Sequence, residues 1–498
     1  MKEYTIKEIQ SLMEKRELSA EKLTKMYLSR IQEIDKKGPK LNSIIEINPE
    51  ALKFAKILDE ERKNKKIRSL LHGIPIIIKD NINTADKLQT TAGSLAFRGH
   101  IASEDAFIVK KLRNAGVIIL AKANLSEWAN FRSTRSTSGW SSRGGQTINP
   151  YALDRNPCGS SSGSAVAVAA NLCSAAIGTE TDGSVICPSQ INSIVGIKPT
   201  IGLVSRTGII PISHNQDTAG PMARTVQDTA ILLSVITGID PDDGSTSKHK
   251  YDIPSDYTKF LDSCGLEGAR IGVARNYFGN NDLIDKIIEG AIEKMKELGA
   301  ELIDPIEIKS LKDLREFEFQ VLLYDFKNDL NEYLAKYGPI NSLKNLDDLI
   351  KFNNEHEEKV LPYFGQELFT MANEKGSITN DEYKEALKEC HRLARDEGID
   401  QVLKEHQLDA ILAPSGGVAW LIDYINGDHS TGGSSTAAAV AGYPNITVPA
   451  GYVYGLPVGI SFFSGAFQEP KLLKIAFAFE QRTKIRKPPE FLPKIELK

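Results

Sequence analysis

Ser160 and Ser184 stand in two Gly/Ser-rich turns, a pairing of residue types that could do acyl transfer. Ser160 lies in the turn Pro157-Cys158-Gly159-Ser160-Ser161-Ser162-Gly163-Ser164. Ser184 closes a second turn, Gly178-Thr179-Glu180-Thr181-Asp182-Gly183-Ser184, 24 positions later. Glycine beside serine lets a backbone bend sharply and lets main-chain N–H groups converge on an anion, which is either a bound phosphate or an oxyanion. A phosphate loop needs Lys followed by Ser or Thr after its glycines, and a dinucleotide site needs G-x-G-x-x-G. Neither pattern is present, and Ser160 to Ala170 holds no cation, so acyl transfer is the leading chemistry.

A serine of this kind can be activated in two ways. Gly159-Ser160-Ser161-Ser162-Gly163 fits the G-x-S-x-G elbow of α/β-hydrolases, with Ser161 as nucleophile. Asp423 and His429 follow in the right chain order for the rest of that triad, but the elbow needs a strand just before the serine. Asp154-Arg155-Asn156-Pro157 reads as a loop instead. The alternative is a lysine made neutral by burial, because desolvation disfavours the ammonium. Lys79, at the end of the apolar run Ile74-Pro75-Ile76-Ile77-Ile78, is that candidate. The ordinary fate of a strand-end lysine is to snorkel to solvent, so burial is the point at issue.

The elements that must position these residues are legible from periodicity. The run Ile74 to Ile78 reads as a strand buried on both faces, Val117 to Leu120 as a second, and Asp105 to Asn114 as the helix between them. This implies a helix-covered, mainly parallel sheet. Ala165 to Ile177 reads as one small-residue helix joining the two turns. Thr5 and Glu8 form a capping-box pattern ahead of Ile6, Ile9, Leu12 and Met13, and a second helix runs on from Ser19. Residues 252–407 are charged and helix-patterned, a layer over one face, with strands only at Ile271–Ala274 and Glu301–Ile303. Asp409–Pro414, Asn445–Pro449 and Gly455–Ile460 return to strand character. The expected architecture is α/β: one large domain over 1–498 with a mixed, mostly parallel sheet covered by helices on both faces. Within it, helices occupy 1–70, the catalytic core 71–240, the helical layer 252–407, and closing strands and a helix 408–484.

Composition removes other classes. Lys and Arg number 61 against 65 Asp and Glu, a net charge of −4, which leaves no electrostatic footprint for nucleic acid. The basic run Arg62 to Lys66 reads as a solvated helix face. Five cysteines, Cys158, Cys173, Cys187, Cys264 and Cys390, are an odd and scattered set, which predicts reduced thiols and a cytoplasmic protein with no metal site. No stretch reaches the ~18 apolar residues of a membrane helix, and the N-terminus lacks the apolar core of a signal peptide.

Gly73 to Asn81, the two turns, Val195-Gly196-Ile197-Lys198-Pro199-Thr200, Asp217 to Arg224 and Ala441-Gly442-Tyr443-Pro444 together resemble the amidase signature family. The resemblance implies that family's fold and a Ser-Ser-Lys triad needing no cofactor: Ser184 as acylated nucleophile, Ser160 as bridging serine beside a cis peptide bond, Lys79 as base. It also implies an oxyanion hole of the Thr181, Asp182, Gly183 and Ser184 N–H groups. The common pattern ends its second turn in Gly-Gly-Ser-Ile-Arg, whereas here Asp182 intrudes and Val185-Ile186-Cys187 follows. The missing arginine speaks against a glutamine-using amidotransferase subunit working in a complex. Trp128-Ala129-Asn130-Phe131-Arg132, Gly139-Trp140 and Arg143 to Thr147 are similar to the peptide amidase subgroup, which removes C-terminal amides. Phe131, Trp140 and Ser161 are then the expected substrate-binding residues, although lone aromatics more often serve a core. The expected substrate is a small or peptide amide, met by a monomer or homodimer, with a broad aliphatic or aryl amidase as the alternative.

Overall fold

Five residues, Pro75 to Lys79, form a strand in which every side chain is buried, as a continuous apolar run without alternation requires. The computed structural model describes residues 1–338 and 340–497. Its strands in chain order are β1 (Ile44–Ile47), β2 (Pro75–Lys79), β3 (Ile118–Ala123), β4 (Trp140–Ser141), β5 (Gly145–Gln146), β6 (Ala175–Glu180) and β7 (Val195–Lys198). They continue as β8 (Thr218–Ala223), β9 (Arg270–Ala274), β10 (Glu301–Ile306), β11 (Ala410–Pro414), β12 (Asn445–Val453) and β13 (Leu456–Phe463). Apart from the small β4–β5 pair, they join one 11-stranded sheet in the order β1-β3-β2-β6-β8-β7-β12-β13-β11-β9-β10. Strands from both ends of the chain therefore share a single sheet.

The sheet is mixed, but parallel pairing does not dominate it. β2 runs parallel to β3 and β6, and β9 runs parallel to β10 and β11, while the strands between these groups pair antiparallel. One antiparallel pair comes from a local connection: β12 and β13 form a hairpin whose two-residue turn, Tyr454-Gly455, has both φ angles positive. Such a turn matches strand twist and favours glycine.

Helix α1 (Ile6–Glu14) begins at a complete Thr5/Glu8 capping box, as the sequence predicts. α2 (Ala20–Arg30) and α3 (Ala51–Lys63) follow, and α4 (Phe107–Asn114) connects β2 to β3 with Ile108, Val109 and Leu112 buried. The expected single helix from Ala165 to Ile177 is not found. α5 (Ser162–Ala169) stops early, Asn171 takes a left-handed φ of 56°, and the chain re-enters the sheet as β6. Both pieces are buried on all sides, so neither carries a period that would separate helix from strand. α6 (Ile186–Ile191) and α7 (Val226–Ile236) complete this region, and α8 (Asp282–Glu297) and α9 (Leu314–Tyr337) open the helical layer. No helix among the described residues is long and apolar enough to cross a membrane.

Candidate active site

β2 and β6 are neighbours, and their adjacent C-terminal ends bring together Lys79 and Thr179. The Lys79 amine is fully buried and donates to Ser160 Oγ at 2.7 Å, Thr179 Oγ1 at 2.8 Å, Ser161 Oγ at 3.1 Å and the Thr179 carbonyl at 3.1 Å. All four partners are uncharged. Burial pulls Lys79 down to about 7, against the opposing fields of the Asp217 and Glu180 carboxylates. The lysine thus reaches neutrality near neutral pH while touching a serine hydroxyl.

The two turns meet directly. The Ser161 N–H donates to the Ser184 carbonyl at 3.1 Å, and the Gly159–Ser160 peptide bond is cis. Gly178 permits the approach of β6, since a Cβ there would stand 2.7 Å from Ser161 Oγ. Below the second turn, Glu180 Oε2 accepts from the Val185 and Ile186 N–H groups at 2.7 and 2.9 Å, fixing the start of α6. Asp182 is held by the Ser435 and Thr436 hydroxyls, and Thr181 by Asp217. Ser184 takes no part in the lysine's hydrogen-bond set and keeps 8% of its surface exposed, whereas Lys79 and Ser160 keep none. A buried lysine in contact with a buried serine hydroxyl, next to a turn that carries a partly accessible serine, is an arrangement able to form an acyl-enzyme.

A family model described as Amidase matches residues 22–473. The chain belongs to the amidase signature family. It is an amidase, similar along nearly its whole length to known relatives. The native peptide amidase of Stenotrophomonas maltophilia has a solved structure that superposes with a TM-score of 0.93 at 49% identity, covering 98% of this chain and 99% of that one. A probable amidase of Arabidopsis thaliana is 42% identical over 99% of this chain and 92% of its own length. A glutamyl-tRNA(Gln) amidotransferase subunit of Caldanaerobacter subterraneus subsp. tengcongensis is 35% identical over 98% of each chain.

Several expectations need correction in this amidase. Ser161 has no substrate-facing surface: it is fully buried, receives a hydrogen bond from Lys79, donates to the Thr179 carbonyl and accepts from the Thr179 N–H. That placement also removes the elbow reading, as does His429, which is 58% exposed and paired with Asp423 in a surface loop. Cys158 and Cys187 are joined in a disulfide with Cα atoms 6.1 Å apart, so reduced thiols were the wrong expectation for this pair. A separation of 29 residues hides a contact that only the packing of the two turns creates.

Beside the second turn lies a cleft of about 240 Å³ touching Thr179 and Thr181 and walled by Ala129, Ile210, Ile212, Asp217, His214 and Tyr333. Phe131 and Trp140 do not line it. Phe131 packs on Phe326 at 5.2 Å, and Trp140 meets Phe364 and Tyr363 edge-on beneath the Arg132 guanidinium. Residues with clear places in the site were missed from sequence: Thr179, Glu180, Asn81 and Asp217. Asn81 donates to Thr179 Oγ1 at 3.0 Å. Alternation along β6 puts Thr179 and Glu180 on opposite sides, a signal available once that segment is read as a strand.

Proposed function

We propose that this amidase hydrolyses the terminal carboxamide of peptides, with Ser184 as nucleophile, Ser160 as proton relay and Lys79 as base. The observation that carries the reading is the Lys79 amine: fully buried, brought to about 7 by that burial, and 2.7 Å from the Ser160 hydroxyl. Ser184 Oγ attacks the carboxamide carbon while its proton passes to Ser160, whose own proton passes to neutral Lys79. The N–H groups of Thr181, Asp182, Gly183 and Ser184 receive the oxyanion, each essential donor of this kind contributing about 3–4 kcal/mol. Collapse breaks the C–N bond, the relay returns the proton to the leaving ammonia, and water then releases the acid. The balance is RCONH2 plus H2O giving RCOOH plus NH3.

Peptide substrates are favoured by the 49% identity to a peptide amidase, against 35% to an amidotransferase subunit. Every residue named belongs to one chain, so the reading serves a monomer or a homodimer alike. The Cys158–Cys187 bridge favours an oxidising compartment over the cytoplasm.

The test is ammonia release by the purified protein from a C-terminally amidated dipeptide, a small aliphatic amide and glutamine, with Ser184→Ala alongside. The dipeptide amide is expected to give the highest kcat/KM, and Ser184→Ala to lose turnover while keeping its fold. A preference for glutamine contradicts the substrate, and an active Ser184→Ala contradicts the nucleophile.

A further inference from the structure

Thr181, which opens the oxyanion turn, is gripped from two sides by consecutive residues. Its hydroxyl donates to Asp217 Oδ1 at 2.6 Å, and its carbonyl accepts from Gln216 Nε2 at 3.4 Å. Gln216 is itself held by Glu318 of α9 at 2.9 Å. The second oxygen of Asp217 accepts from the N–H groups of Ile212 and Ser213 at 2.7 and 2.9 Å, in the segment that walls the cleft. One carboxylate therefore ties the oxyanion turn to the wall of the adjoining cleft. Lys79 forms no ion pair among the described residues, and Asp217 is the carboxylate acting most strongly on it from a distance.

We propose that Asp217 is a positioning residue of this amidase, fixing Thr181 against the cleft wall. The inference rests on the reading of Lys79 as base and of the second turn as oxyanion hole. The charged groups that face Asp217 are Lys79, Asp329 of α9, which binds His214 at 2.9 Å, and Arg206, which is paired with Asp243 at 2.6 Å. Lys79 is faced by Asp217 and Glu180. Burial pushes Asp217 up to about 6, so it is largely ionised where Lys79 titrates, near 7. A carboxylate near an ammonium favours the charged lysine. Removing it lets the amine become neutral at lower pH.

The test is the pH dependence of kcat/KM on an amidated dipeptide. Asp217→Asn and Asp217→Ser are both measured, because the asparagine NH2 must replace an acceptor facing either the Thr181 hydroxyl or the Ile212 and Ser213 N–H groups. In both, the acid limb should move to lower pH by about half a unit or more. Asp217→Glu retains the charge and should leave the limb in place. Thr181→Val keeps the carboxylate but cuts the tie, so kcat at the pH plateau should fall about tenfold, the scale of one lost hydrogen bond to a charged group. An unmoved limb in the folded Asn and Ser variants overturns the charge role, and an unchanged kcat in Thr181→Val overturns the tie. Ser184→Ala separates the two levels: if it is inactive, those outcomes bear on Asp217 alone, whereas an active Ser184→Ala brings down the acyl-enzyme reading beneath.

Discussion

Lys79 at the end of β2 and Lys198 at the end of β7 are both fully buried lysines on strands of one sheet. Burial lowers both, Lys79 to about 7 and Lys198 to about 8. Their partners differ. Among the described residues Lys198 donates only to the Pro199 carbonyl, at 3.1 Å, and it is faced by the carboxylates of Glu180 and Glu469. Lys79 touches three hydroxyls, and a hydroxyl can reverse its hydrogen bond, accepting from an ammonium and donating to a neutral amine. A carbonyl cannot. Burial alone therefore does not make a base; a buried amine needs a neighbour able to hand it a proton.

The contrast predicts unequal consequences. Lys79→Ala should cost at least about 10³-fold in kcat, the scale of losing a member of a nucleophile–base unit, with the fold retained by circular dichroism. A loss under tenfold would erase the distinction between the two lysines. Lys198→Met fills the same space with an uncharged chain, and it should change kcat by less than about tenfold while lowering Tm. Its cost is structural because Glu180 and Glu469 lose their shared cation. Glu180 still accepts from the Val185 and Ile186 N–H groups in that variant, so the turn above it keeps its support.

The strand-end position of Lys79 was legible because four isoleucines and a proline in succession can only be a doubly covered strand. The capping box of α1 was legible for a similar reason, since its cause is local. Segment 165–180 was misread because small apolar residues buried on every side carry no period, so one predicted helix proved to be a helix, a left-handed residue and a strand. Ser161 looked like a pocket residue because its motif names a serine without naming its direction. Its burial depends on β6, which the misread helix concealed. The Cys158–Cys187 bridge and the Asp217 tie to Thr181 join residues 29 and 36 positions apart. Contacts at that range follow from the assembled sheet and leave no trace in spacing.

The central claim is that the base of this amidase is a neutral Lys79. The direct measurement is the acid limb of kcat/KM between pH 5 and 9 for the wild type and for Lys198→Met. Neutral Lys79 increases as pH rises through about 7, so activity should climb to half its plateau near that value, and the limb should stay there when Lys198 is gone. A limb centred below about pH 5, where ordinary carboxylates titrate, or one that moves away with Lys198, would contradict the account.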